Sequence, residues 1–405
     1  MKLANTLGIL PLLLLGSTAT QADPGGGPAD RLHRQVLVLD SHTDVLLPST
    51  PSRYFLSDGG SRVDLPHLKA GGVGAVVMAV AVGPGPRDPQ GVRAARAEAD
   101  AKLAWILRFV TQNGASVGLA KSAGDVETLR RAGKIAVLIS FQNARSIGKD
   151  VDQLDVFYRQ GVRIFALNHA GHNDFSDSSR PIAEPVAENH GLSPLGRAAI
   201  KRLNDLGALI DVSQLSSEAL AQTLALTRAP IVATHSDVRA LVDNTRNLSD
   251  QELDAIKANG GVVELTPFSA YIHKVTEQDL QNATEVRARF GLSPQFKSAW
   301  DDYTTLPSDR QDAFLEAIGA SQSKGTLQEY IGQIDYVVRR IGWQHVGIGS
   351  DFNHGAGVPG FDSEADAPNV TRELVRRGYT KTQIAAIWGG NFLRVLREAE
   401  AARAK

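Results

Sequence analysis

From residue 35 onward the chain repeats one pattern: a short apolar run rich in β-branched residues, a polar ending, then a longer stretch with helical spacing. The runs are "QVLVLDSHTD" (35–44), "GAVVMAVAV" (74–82), "KIAVLISFQN" (134–143), "GVRIFALNHA" (161–170), "ALIDVSQL" (208–215), "PIVATHSDV" (230–238), "GGVVELTPF" (260–268) and "HVGIGSDFN" (345–353). Between them lie amphipathic segments such as "GVRAARAEADAKLAWILRFV", "SPLGRAAIKRLNDLG", "SSEALAQTLALT", "SDQELDAIKANG" and "LQEYIGQIDYVVRRIG", several of them stopped by Gly. Near-continuous apolar strands that alternate with helices predict a parallel sheet covered by helices. Eight such units predict an α/β fold of the (β/α)₈ TIM barrel type, with an open doubly wound sheet as the competing arrangement.

The polar endings favour the barrel. His42 and Asp44, Gln142, His169, Gln214, His235 and Asp351 all fall at the C-terminal ends of their runs. In a barrel those ends gather around one axis, on the face where sites are built; an open sheet spreads them along a line. The segment from about 269 to 325 interrupts the repeat between the last two runs and reads as an insertion, a lid or a dimer contact.

Composition narrows the class. A chain of 405 residues with 42% hydrophobic content can bury a large core, and its length fits two ordinary domains or one barrel with insertions; the repeat of strand and helix makes it one domain over residues 35–400. With 43 basic and 44 acidic residues there is no electrostatic case for nucleic acid or an anionic membrane. The absence of cysteine excludes disulfides, thiolate ligands and a lipidated N-terminal cysteine. Lys2 followed by "LGILPLLLLG" and "STATQAD" predicts a secretory signal over residues 1–22, too short in its apolar part to span a membrane. The expected product is periplasmic or otherwise secreted, with residues 23–34 as a flexible leader.

The chemistry is carried by residue type at strand ends. His42 and Asp44 stand two apart on a strand, so both project from one face, toward the barrel axis. A lone H-x-D is most often a strand-end cap; joined by His235 and Asp351 at equivalent ends, it suits Zn²⁺ or a similar ion that activates water and polarises a carbonyl. Three roles are open to His169: a third ligand, a donor to the oxyanion of a tetrahedral intermediate, or a buried histidine bonded to a neighbour. The donor role is preferred. Arg246 offers a bidentate site for a substrate carboxylate, against the plain alternative of a surface ion pair. His172 and Asn173 read as loop structure. His33, His67, His190, His273, His345 and His354 read as structural too, although His354 stands three residues after Asp351, at the mouth.

The motifs "DSHTD", "FYRQGVRIFALNHAGHNDFSDSS", "HGLSPLGRAAIKRLNDLGALIDVSQLS", "PIVATHSDVRAL", "TRNLSDQELDAIKANGGVV", "VGIGSDFN" and "GGNFLRVL" resemble, in order, those of the renal or membrane dipeptidase family. The resemblance runs from about residue 35 to 396. It implies a barrel of the metallo-dependent hydrolase type, a homodimer, and two bridged zinc ions that hydrolyse dipeptides with a free amine and carboxylate. By position it makes His42 and Asp44 ligands of the first zinc and His235 a ligand of the second. His169 then steadies the tetrahedral intermediate, Arg246 receives the substrate carboxylate, and Asp351 handles the proton and substrate amine beside the first metal.

Two positions depart from that pattern. Gln142 stands where the family places the glutamate that bridges both metals, and Gln214 where it places a histidine of the second zinc. Losing a carboxylate from between two dications, and an imidazole from one of them, predicts one zinc ion held by His42, Asp44 and Asp351 with His235 as a fourth candidate ligand, and a second site weak or absent. The expected function is an exported dipeptidase with a mononuclear site acting on a small peptide-like substrate. The alternative is a non-hydrolytic periplasmic relative that binds or matures a peptide-like ligand such as a siderophore precursor, a task known among proteins resembling this family.

Overall fold

All eight runs contribute strands to one parallel sheet in the computed structural model of the chain, which describes residues 26–181, 187–296, 298–300 and 302–404. The strands are β1 (Val38–Asp44), β2 (Val73–Ala81), β3 (Val117–Leu119), β4 (Ile135–Gln142), β5 (Val162–Ala166), β6 (Leu209–Asp211), β7 (Val232–Ala233), β8 (Val262–Leu265) and β9 (Val346–Ile348). They pair in the order β1-β2-β4-β5-β6-β7-β8-β9. Beyond β9 the ring meets its start: Asp351 N–H donates to His42 O and Asp44 N–H to Phe352 O, each at 2.9 Å. The molecule is therefore an α/β barrel, and the open-sheet alternative falls.

β3 is the strand the hydrophobic pattern does not announce. It pairs with Ile135–Val137 at the base of β4, while β5 pairs only from Ile139 upward. The short "VGL" segment thus covers backbone groups of β4 that β5 does not reach. Three residues are too few to stand out beside the 24-residue helix Pro89–Gln112 that precedes them.

The barrel interior is filled by Leu37, Leu39, Ala75, Val77, Ala136, Leu138, Ile164, Leu209, Val232 and Val262, with Phe392, Leu393 and Leu396 of the closing helix Asn391–Ala401 packed against them. The other faces of the strands, including Val38, Val76, Val137 and Phe165, pack under the helical layer. Each buried Val, Leu, Ile or Phe side chain among them contributes about 1.5–3 kcal/mol of hydrophobic stabilisation. With the interior packed with apolar side chains, chemistry is confined to the C-terminal ends of the strands.

Residues 28–34, expected within a flexible leader, are helical instead. Pro28–Gln35 is an α-helix, started by Pro at its first position and by Gly27 N–H donating to Asp30 Oδ2 at 3.0 Å. It is held by His33, which contacts Thr371 Oγ1 at 2.6 Å and Gly71 O at 2.7 Å. A buried imidazole with both nitrogens satisfied anchors a segment that composition alone marks as loose. The predicted signal, residues 1–22, lies outside the described residues, among which no helix is long and apolar enough to cross a membrane.

The insertion has a core of its own. Helices Glu277–Phe290 and Ser308–Ser321 pack through Ala283, Val286, Phe314 and Ile318. Arg53, in the loop after β1, pairs with Asp312 of the second helix at 2.6 Å and lies over the ring of Tyr54. Tyr54 in turn stacks on His354, with centroids 5.4 Å apart, so the insertion is joined to the rim of the site.

Candidate metal and active site

His42 and Asp44 reach the axis only because β1 is irregular. Leu37 and Leu39 belong to the barrel interior, so strict alternation sends Ser41 and Thr43 inward and His42 and Asp44 out toward the helices. Asp40 pairs with Val76 and Thr43 with Met78, three residues on β1 against two on β2. This one-residue bulge reverses the alternation and turns His42 and Asp44 toward the site. Opposite them the chain leaves β9 through Asp351 and Asn353, at φ 54° and 66°. Asp and Asn tolerate that left-handed region because their short polar side chains bond locally. Asn353 Nδ2 donates to Asp44 O at 3.0 Å, locking the two strand ends together.

One cluster is anionic. Ligand atoms of His42, Asp44 and Asp351 all lie within 4.8 Å of one another, and the three residues are buried. His42 Nε2 is 3.9 Å from Asp351 Oδ1, and His42 Nδ1 and Asp44 Oδ1 have no hydrogen-bond partner. Burial pushes Asp351 above its ordinary pKa. Burial acts the same way on Asp44, but the adjacent His354, then Lys102 and His42, outweigh it and hold the carboxyl well below the usual range. Two buried carboxylates close together, with unpartnered atoms on Asp44 and on the His42 imidazole, are unfavourable without a cation between them. This donor set therefore fits a divalent ion of the zinc type.

His354, which the sequence marks as structural, belongs to this cluster. Its Nδ1 lies 2.7 Å from Asp44 Oδ2, and its ring meets His169 edge-on at 5.1 Å. Burial disfavours its charged form, yet the Asp44 carboxylate raises its pKa to about 9. Its spacing from Asp351 was the only signal in the sequence.

The neighbouring cluster is neutral. Thr234 Oγ1 donates to Asp211 Oδ2 at 2.6 Å and so accepts from His235 Nδ1–H at 2.7 Å. That fixes the tautomer and turns the Nε2 lone pair of His235 toward Gln142 Nε2 and Gln214 Nε2, each 3.3 Å away. The two amide oxygens are buried without partners. His235 stacks on His42 with centroids 3.8 Å apart, and burial, then the charge of His42, push its pKa well below the ordinary value. His42, Asp211 and His235 also bring ligand atoms within 4.8 Å. Asp211 is already engaged, however, by Ser213 N–H and Oγ–H and by Thr234 N–H and Oγ–H. One free imidazole nitrogen and two amides do not fit a second dication.

Asn143, the second amide after β4, has a separate task. At φ 83° it turns the chain, donating to Val82 O and Gly83 O and accepting from Arg145 N–H and Asn173 Nδ2. Asn173 also bonds Leu167 O, and His172 accepts from Ser178 N–H, so both are loop structure.

His169 and Arg246 complete the constellation. His169 is buried, its Nδ1 without a partner, and burial followed by the charges of His354 and Arg180 holds it neutral. Arg246 is fully buried rather than at the surface: Nη1 donates to Ser213 O and Ser236 Oγ, and Nη2 to His235 O. These bonds tie together the ends of β6 and β7 and leave Nε–H without a partner. Asp237, missed by sequence reasoning, is buried nearby with both oxygens unpartnered, and burial raises its pKa well above the usual range.

Residues 28–405 match the family profile described as Membrane dipeptidase (Peptidase family M19). Dipeptidase tcpJ of Claviceps purpurea is 28% identical over 355 residues, covering 85% of this chain and 70% of that protein. Dipeptidase aclJ of Aspergillus oryzae is 27% identical over 344 residues, covering 84% and 70%. The crystal structure of the probable dipeptidase PvdM from Pseudomonas aeruginosa is similar at 38% identity and TM-score 0.84, covering 92% of this chain and 98% of that one. A metallo peptidase from Rhodobacter sphaeroides, solved with a phosphinate mimic of the dipeptide L-Ala-D-Ala, shares the fold at 22% identity and TM-score 0.70, covering 90% and 99%.

Proposed function

We propose a function from a fixed premise: this chain belongs to the membrane dipeptidase family, peptidase family M19, hydrolases that act on peptide bonds. On our reading it is an exported dipeptidase that works with a single catalytic zinc ion. The observation that carries this is the contrast between the anionic set His42, Asp44 and Asp351 and the neutral set His235, Gln142 and Gln214. His42, Asp44 and Asp351 would hold the ion, which would supply Lewis acidity and favour deprotonation of the attacking water.

The chain's own residues do the rest. Arg246 receives the substrate carboxylate through its unpartnered Nε–H. His169, kept neutral, donates a hydrogen bond to the oxygen of the attacked carbonyl as charge develops there. Asp351 orients the substrate amine and carries a proton from the attacking water to the leaving nitrogen. His235, with both amides directed at its lone pair, forms the wall beside the reacting carbonyl.

Metal analysis of the purified protein, followed by turnover of a dipeptide panel, tests the proposal. One tightly bound ion with turnover is expected; two such ions contradict the mononuclear site, and neither ion nor turnover contradicts the enzyme. The neutral set also favours a second reading, a pocket that binds a peptide-like ligand without cleaving it, which ligand binding without hydrolysis identifies. Export is checked by the N-terminus of the mature protein, expected at Asp23. The homodimer implied by family resemblance is checked by sedimentation.

A further inference from the structure

The loop after His169 doubles back. Ser178 Oγ donates to His169 O, and Gly171 N–H donates to Arg180 O, both at 2.7 Å. The return brings Arg180 beside the site, where Nη1 donates to Tyr271 Oη at 3.1 Å. Tyr271 is buried and presents its ring to Arg246, whose Cζ lies 5.6 Å from the centroid. One tyrosine therefore holds a guanidinium at its hydroxyl and another over its ring.

Arg180 has no carboxylate partner among the described residues; the tyrosine hydroxyl is its hydrogen-bond partner. Other arginines around the rim are paired: Arg53 with Asp312, Arg62 with Asp362, Arg87 with Glu188. A guanidinium that serves only to pin a loop gains nothing from standing near a second, buried guanidinium. Burial first, then the charge of His354 and after it that of Arg180, weaken proton binding at His169; Arg180 contributes in the same sense at Arg246. Like charges in a partly desolvated site are unfavourable until an anion arrives, and a ligand with two anionic groups relieves both.

We propose that Arg180 is a specificity-determining residue that receives a second carboxylate, making the site selective for dipeptides whose C-terminal residue is Asp or Glu. This deepens the dipeptidase reading and rests on Arg246 taking the terminal carboxylate. Because both guanidiniums are held by Tyr271, the second anion belongs to the same residue as the first. Arginine suits the task because its planar fork matches a carboxylate bidentately.

The test compares Ala-Glu with Ala-Gln and Ala-Asp with Ala-Asn, using C-terminal residues of either chirality, by kcat/KM on the metal-loaded enzyme and by calorimetric binding. The acidic member of each pair is expected to be favoured about tenfold or more, on the scale of one charge-assisted contact. In Arg180→Met that ratio collapses toward unity, and Arg180→Lys keeps part of it. The change falls on KM rather than kcat, since the contact is made equally in ground and transition states. A residue that merely shapes the loop shifts acidic and amide substrates together.

Cleavage without acidic preference in the native enzyme, or a preference that survives Arg180→Met, overturns the inference and leaves the dipeptidase standing. Selective binding of Ala-Glu without cleavage upholds the anion site and overturns the hydrolytic reading. Neither binding nor cleavage of any of these dipeptides overturns both. If Arg180→Met does not fold, the native ratio and Arg180→Lys decide.

Discussion

Two halves of one site lie side by side, touching through the stacked rings of His42 and His235, yet they differ in charge. The half built on β1 and the turn after β9 has two buried carboxylates, with unpartnered atoms on Asp44 and His42. The half built on β4, β6 and β7 has an imidazole whose lone pair is already met by two amides. The same barrel geometry supports both, so geometry does not determine which half takes a cation. Uncompensated negative charge, rather than a cavity of suitable shape, makes a dication favourable.

The strongest way to break the comparison is to remove charge from the anionic half. Asp44→Asn is expected to abolish tight metal binding and lower kcat/KM about 10³-fold or more, on the scale of losing a main electrostatic stabiliser of the transition state. Metal content and dipeptide turnover check it together; retained metal would mean that His42 and Asp351 suffice.

The converse sharpens it. Gln142→Glu combined with Gln214→His is expected to raise bound zinc from roughly one ion to roughly two per chain, while either change alone leaves it near one. Equilibrium dialysis reads the count without relying on activity. If the double variant still takes a single ion, something other than the two amides controls the neutral half.

The smallest effect is electrostatic and belongs to the rim of the anionic half. In the metal-free protein His354 titrates at about 9, against 6.5 for an unperturbed histidine. The folded state holds that proton more tightly, so the stabilisation is fully present below pH 6.5 and is lost as pH rises through about 9. Thermal melting of metal-free protein across that window is expected to decline by on the order of 1 kcal/mol for this contact, discounted for its partial exposure. His354→Gln should flatten the decline; an identical slope in the variant would assign it to other groups.

Much of this site can be traced to the sequence through particular residues. His42, Asp44, His169, His235 and Asp351 stand at ends of apolar runs, and that placement brings them together with Gln142, Gln214 and Arg246 in the fold. Arg246 was legible as a candidate anion receptor but not as a fully buried tie between β6 and β7, because its partners are mostly main-chain carbonyls that leave no trace in sequence. His354 reads as bland because its partner, Asp44, is at the far end of the chain. Residues 28–34 read as a loose leader because His33 is fixed by Thr371 and Gly71 rather than by anything local.

By itself, the sequence determined the α/β barrel, the face that carries the site and the residue types that stand at its strand ends. These follow from short-range facts: the period of apolar residues, the position of polar ends and the identity of side chains. Only the tertiary structure decided that a bulge in β1 turns His42 and Asp44 inward, that Asp211 and Thr234 set the tautomer of His235, and that Arg180 and Arg246 share one tyrosine. Most of those outcomes depend on pairings between residues far apart in the chain, and which of them form is settled by packing and desolvation at the closed ring of strand ends, not by any local pattern.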